Sequence, residues 1–211
     1  MKDDQRKRII DRHRHSVWMY GPTVQALYIE SIEAQEIRFD VLLDCGIKNG
    51  DTVLDVGCGF ADFYRYMCAK GLEIDYTGID LSPDMIESAK ARSPDLKLYQ
   101  GDLFDFDPPE KSYDWVFLSG ALNEPLKDDG EYVRSMLPRL YSACRKGLAF
   151  NLLNDEFPWE PRQRHTLEAY VPQEIISQLN KLSSRTMLRT DYLDNDASYF
   201  VWREDGLDTN I

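Results

Sequence analysis

The stretch Asp51-Thr52-Val53-Leu54-Asp55-Val56-Gly57-Cys58-Gly59-Phe60-Ala61 constrains this chain more than any other. Val53, Leu54 and Val56 form a short apolar run broken only by Asp55, the pattern of a strand buried on both faces of a parallel sheet. Gly57 and Gly59 follow at once, and Phe60 to Lys70 then carries apolar residues at helical spacing. Strand, glycine turn and helix in that order build a nucleotide site. The glycines permit a sharp turn and close approach of a ligand, and the helix N-terminus offers unpaired N–H groups.

A second strand, Tyr76-Thr77-Gly78-Ile79-Asp80, ends in an acid roughly 20 residues past the glycines, where a carboxylate can accept from ribose hydroxyls. A dinucleotide site wants Gly-x-Gly-x-x-Gly, and the third glycine position is Asp62. That weakens a nicotinamide oxidoreductase. A nucleoside with an amino-acid tail needs no pyrophosphate cradle, and Asp55, two residues before the first glycine, can face an ammonium group.

With these residues in view, the chain resembles the class I S-adenosylmethionine-dependent methyltransferases over about residues 50 to 150. Asp55-Val56-Gly57-Cys58-Gly59 is similar to their first motif, and Asp80 with Leu81 to the ribose-binding end of the second strand. Gln100-Gly101-Asp102-Leu103 is similar to the segment that holds adenine. Tyr113 to Ser119 is similar to the fourth strand, which leads to the transfer site at Ser119 and Gly120. One departure is Ala61, where relatives often carry a third glycine. The resemblance implies an α/β fold: a seven-stranded, mostly parallel Rossmann-like sheet of order 3-2-1-4-5-7-6. Its last strand is antiparallel, helices cover both faces, and a helical segment precedes the first strand. It implies S-adenosylmethionine as cofactor and S-adenosylhomocysteine as product.

At 211 residues the chain suits one α/β domain. We expect a helical cover over 1–46, the methyltransferase domain over 47–204 and a polar tail over 205–211. No apolar run reaches the roughly 20 residues of a membrane span, and the N-terminus is charged where a signal peptide would be apolar. Cys45, Cys58, Cys68 and Cys144 form no Cys-x-x-Cys pair, which fits reduced thiols and a cytoplasmic protein. Three histidines without paired cysteines make no zinc cluster, so no metal is expected. The net charge of −12 favours a small-molecule acceptor over nucleic acid. The basic run Arg6-Lys7-Arg8 with Arg12 and Arg14 reads as a solvated helix face before it reads as a nucleic-acid patch. A non-catalytic adenosyl-ligand sensor or partner subunit, and a nucleic-acid methyltransferase, are the competing functions.

Along the chain, Met1 to about Met19 reads as a polar helix ended by Gly21-Pro22, and Thr23 to Leu43 as one amphipathic helix. The run His13 to Tyr20 has the mixture of aromatics and histidines expected of a lid. Arg38 is placed to reach the cofactor carboxylate. Asp102 is expected at the adenine amino group, with a helix cap as its alternative role, and Phe104 to Ser112 as loop. Asn123 and Glu124 are candidates for orienting the acceptor. Asn154 to Tyr170, rich in charge and aromatics, reads as an acceptor-side loop. A general base is needed only if the acceptor arrives protonated, and His13, His15, Tyr20 and His165 are its candidates. Neither the acceptor nor the oligomeric state has a signature in the sequence.

Overall fold

The structure is a computed structural model, and it describes residues 1–204. Seven strands form one sheet: β1 (Thr52–Val56), β2 (Asp75–Asp80), β3 (Lys97–Gln100), β4 (Tyr113–Ser119), β5 (Cys144–Leu153), β6 (Thr186–Arg189) and β7 (Asp196–Trp202). Their order is β3-β2-β1-β4-β5-β7-β6, the order the resemblance implies. β7 runs antiparallel to both β5 and β6, while β1 to β5 pair in parallel. The tail over 205–211 lies outside the described residues.

Alternation along the strands sorts the core into two layers. Leu54, Val56, Val116, Leu118 and Phe150 point to one face. There they meet Met136, Leu137 and Leu140 of α6 (Glu131–Ala143) and Ile175 and Leu179 of α8 (Pro172–Leu179). Val53, Trp115, Phe117 and Phe200 point to the other. They pack on Phe39 and Leu42 of α2 (Ile32–Leu43), Phe63 and Met67 of α3 (Asp62–Ala69), and Ile86 and Ala89 of α4 (Pro83–Arg92). Asp55 shares the second face and is nevertheless buried. A charge on a buried strand face is expensive unless it has a partner, so Asp55 marks the place where the sheet serves a ligand.

Two expectations about local structure need correction. Thr23 to Leu43 is not one helix. A 3-10 turn over Val24–Leu27 ends at Tyr28 in the left-handed region (φ 59°), and α2 begins afresh after Ser31, whose side chain accepts from the Ala34 N–H at 3.1 Å. Serine there is a strong N-cap, and Ile32 and Ile37 face outward, so the apolar stripe is not continuous. The segment after β3 is not all loop either: Asp102 caps a one-turn helix, α5 (Leu103–Phe106).

The polar N-terminal helix, α1 (Asp3–Tyr20), lies across the carboxyl edge of the sheet. Its inner face carries Gln5, Ile9 and Ser16, at helical spacing. Gln5 donates to the Leu126 carbonyl at 2.7 Å, and Ser16 to the Ala26 carbonyl at 2.8 Å. Among the described residues no helix is long and apolar enough to cross a membrane.

Candidate functional site

The carboxyl ends of β1, β2 and β4, roofed by α1 and the 3-10 turn, enclose a cavity of about 520 Å³. That volume lies within the range of small-molecule sites. The cofactor-side candidates, from Arg38 through Gly120, all line it, and so does Asn123.

The glycine turn is built by hydrogen bonds to the end of β2. The N–H groups of Gly57 and Cys58 both donate to the Ile79 carbonyl, at 2.8 and 3.0 Å. Asp80 completes the joint: its Oδ2 accepts from the Gly59 N–H at 2.9 Å and its Oδ1 from the Ser82 N–H at 2.8 Å. Burial pushes this carboxyl up, and the two backbone N–H groups pull it back. Each oxygen retains a lone pair for a ligand hydroxyl. Gly57 is in the left-handed region (φ 75°), and a Cβ there would sit 2.2 Å from the Ala121 Cβ. Position 57 therefore admits no side chain. Ala61, where relatives often have glycine, takes the left-handed conformation as well (φ 57°).

Asp55 is buried, with its Oδ2 accepting from the Tyr76 hydroxyl at 2.6 Å. Burial raises its pKa to about 7, against the opposing pull of that hydrogen bond. A cationic group entering the cavity would restore its charge. Cys58 is buried beside Gly78, where a Cβ would meet the Cys58 Sγ at 2.8 Å. Burial holds this thiol protonated, so it fills space and is no nucleophile.

Asp102 adopts the alternative role. Its Oδ1 accepts from the N–H groups of Phe104 and Asp105, and its Oδ2 pairs with Arg6 of α1 at 2.7 Å. Burial pushes the Asp102 carboxyl up, but those N–H groups and Arg6 outweigh it and the net shift is down. The side chain lines the cavity while serving as cap and latch. Arg38 is likewise engaged, its Nε donating to Asp196.

On the far side of the cavity the loop after β4 is braced by β5. The Gly120 N–H donates to Asn151 Oδ1 at 2.8 Å, and Asn151 Nδ2 reaches Ser119 Oγ at 3.2 Å. Asn123 accepts from the Leu153 N–H at 3.3 Å, which makes its side chain a brace first. Glu124 pairs with Arg12 of α1 at 2.7 Å and lies 3.6 Å from His13 Nε2.

Three of the base candidates are misplaced. His15 and His165 are exposed, Tyr20 is 49% exposed, and none of them lines the cavity. Trp18, at 79% exposure, also faces away. The lid therefore does not act through the run ending in Tyr20; of that run only His13 reaches the cavity wall. His13 falls on the helix face that carries Ile9 and Ser16, whereas His15 lies about 120° around the helix from Ile9, on the wet side. Burial, with Arg12 adding to it, lowers His13 to about 4, so the ring is neutral. Its Nδ1 is buried without a hydrogen-bond partner. Sequence reasoning missed Asn151, Tyr28 and Asp196. The loop after β5 contributes Trp159, Gln163 and Leu167 to the cavity wall. Within it, the one-turn helix α7 (Pro161–Arg164) precedes His165. Among the described residues no group of three or more His, Cys, Asp or Glu is placed to hold a metal ion.

The basic run of α1 is not an open patch. Arg6 pairs with Asp102 and Asp105, Arg8 donates to the Pro125 carbonyl, Arg12 pairs with Glu124, and Arg14 lies 3.5 Å from Asp84. These arginines hold the helix down on the body.

Residues 53–147 match the family model described as a methyltransferase domain. The Mycobacterium tuberculosis protein Rv1506c, which carries a methyltransferase name, is 33% identical over 106 residues, covering 48% of this chain and 63% of that protein. A demethylmenaquinone methyltransferase of Staphylococcus aureus is 30% identical over 129 residues, 59% of this chain and 46% of that one. The chain thus spans about half the length of these relatives. Among solved structures, magnesium protoporphyrin IX methyltransferase from Synechocystis, with bound SAH, superimposes with a TM-score of 0.67 at 16% identity, covering 95% of this chain and 100% of that one. An Aquifex aeolicus SAM-dependent methyltransferase gives 0.60 at 17% identity, covering 82% and 94%. Strand order and these likenesses give the chain the fold of the class I S-adenosylmethionine-dependent methyltransferases, with a match to the methyltransferase-domain model over residues 53–147.

Proposed function

We propose that the protein transfers a methyl group from S-adenosylmethionine to a small-molecule acceptor held in the same cavity. The observation that carries this reading is the joint between the Gly57-Cys58-Gly59 turn and the buried Asp80 at the mouth of the cavity. The residues fit an adenosyl ligand with a charged tail: a glycine cradle with no room for a Cβ, a buried acid at each strand end, and the apolar Leu81 and Leu103 between them.

Asp80 takes the ribose hydroxyls, and Gly101, Asp102 and Leu103 flank the adenine. Asp55 faces the tail ammonium, with the backbone of Gly57 and Gly59 beneath it and Arg38 opposite. When bound, the cofactor supplies an electrophilic methyl on a sulfonium. The chain aligns the acceptor and shields it from water: α1 and the preceding segment, residues 1–46, act as the cover, and residues 47–204 as the methyltransferase domain. Ser119 and Gly120 leave room beside the transfer position. For an acceptor that arrives protonated, His13 is the base candidate that lines the cavity, its Nε2 3.6 Å from Glu124. The acceptor space is walled by Tyr28, Trp159 and Leu167, which suits a partly apolar small molecule. The engaged arginines of α1 and the net charge of −12 speak against nucleic acid.

The test is calorimetry of S-adenosylmethionine and S-adenosylhomocysteine with the folded protein, followed by an acceptor panel. Binding of both with turnover of a small molecule supports the reading. Binding without turnover and with a stable protein partner turns it toward a sensor, and no binding ends it.

A further inference from the structure

One buried cluster next to the cavity is not explained by the sheet alone. Arg38, on α2, lines the cavity and is only 9% exposed. Its Nε donates to Oδ2 of Asp196, the first residue of β7, which is 1% exposed. The Tyr192 hydroxyl holds the other oxygen of Asp196 at 2.7 Å and lies 2.7 Å from Ser198 Oγ. Asp196 is thus held at both oxygens, Oδ1 by Tyr192 and Oδ2 by Arg38. Neither Nη group of Arg38 is hydrogen-bonded to the described residues.

With one N–H of five paired, the guanidinium leaves its remaining donors to the cavity that Arg38 lines. Braced along its Nε side, it keeps its Nη1/Nη2 edge for a second carboxylate, which that edge can bind with two parallel hydrogen bonds. Leu193 and Asn195, from the turn that leads to Asp196, line the same cavity, as does Asp55. One cavity therefore contains a buried cation and a buried acid, the complement of an α-amino-acid zwitterion.

We propose that Asp196, braced by Tyr192, is a positioning residue that fixes Arg38 to receive the α-carboxylate of the cofactor's amino-acid tail. This rests on the reading that the cavity holds S-adenosylmethionine. The consequence is selectivity: the site tells an adenosyl ligand with an intact tail from one without it. Asp196 acts only through Arg38 and touches neither adenine nor ribose.

The experiment compares S-adenosylhomocysteine with 5′-methylthioadenosine, which lacks the amino-acid tail, by calorimetry on the full chain. Wild-type protein is expected to bind the first at least about tenfold more tightly, the scale of a charge-assisted pair. Asp196→Asn should lose about tenfold in affinity for S-adenosylhomocysteine and less than about twofold for 5′-methylthioadenosine. Tyr192→Phe should shift the same ligand in the same direction by a smaller factor, and it carries the test if Asp196→Asn does not fold. Equal losses on both ligands, or unchanged S-adenosylhomocysteine affinity in both variants, overturn the positioning role and leave the cofactor assignment standing. Wild-type protein that binds neither nucleoside overturns both.

Discussion

Asp80 does two things that separate variants can distinguish. It ties the glycine turn to β2 through the Gly59 and Ser82 N–H groups, and it faces the cavity. Asp80→Ala is expected to weaken S-adenosylhomocysteine binding by about 2 kcal/mol, the scale of a lost hydrogen-bonded charge, and to lower the melting temperature. Asp80→Asn, which keeps the shape, should lose less stability and still lose affinity; unchanged affinity in both variants removes the ribose role. Asp55 gives a pH signature. Its carboxyl is raised by burial to about 7, so between about pH 4 and 7 the folded state holds a proton the unfolded state has released. This term favours the folded state at low pH and is lost as the pH rises toward 7. An ammonium-bearing ligand pulls the pKa back down. Binding near pH 6 is therefore expected to release a proton, seen as a dependence of calorimetric heat on buffer ionisation enthalpy that Asp55→Asn abolishes. Heats independent of buffer would place the ammonium elsewhere.

At the scale of elements, α1 decides access. It is polar and is fastened by ion pairs, several of them half-exposed, such as Arg6 with Asp105 and Arg14 with Asp84. Such pairs are worth about 1 kcal/mol or less each and weaken with salt. Amide exchange in residues 3–20 should be faster than in β1 and β4, accelerate at high salt, and slow when S-adenosylhomocysteine is bound. Exchange as slow as that of the sheet would mean the helix is core and not cover. The sequence displayed α1 as a polar helix but not which face lies down, because the partners of Arg6 and Arg12 lie about a hundred residues away. Helical spacing places His13 on the stripe of Gln5, Ile9 and Ser16 and leaves His15 off it, while Tyr20 falls on the stripe at the helix's last residue and is 49% exposed. The break at Tyr28 was signalled by Ser31 ahead of Glu33, whereas Asp102's capture by Arg6 had no local signal at all.

For the whole molecule, what was legible follows from range. Strands β1, β4 and β5 carry apolar runs, and β2 and β3 are short segments marked by the Asp80 and Gly101 that follow their apolar residues, so local pattern suffices to find them. The order of β7 between β5 and β6 depends on non-local pairing and came from the resemblance alone. Its physical support is close packing across the sheet. A Cβ on Gly147 would come within 2.6 Å of the Trp115 ring and 2.7 Å of the Val201 carbonyl, so only glycine lets β5 lie between β4 and β7. Gly147→Ala is expected to destabilise the fold by about 1–3 kcal/mol, measured by denaturant unfolding, the cost of overpacking a close-packed interior. A neutral outcome would show that β7 can shift without penalty. The site draws on the same sheet, with Asp55, Asp80 and Asp196 at the ends of β1, β2 and β7. The central claim is that this edge holds an adenosyl amino acid, and titration calorimetry of S-adenosylhomocysteine into the folded full chain tests it most directly. Saturable one-to-one binding that Asp80→Ala weakens is expected; no heat at all, from protein whose sheet is intact by circular dichroism, would overturn the assignment.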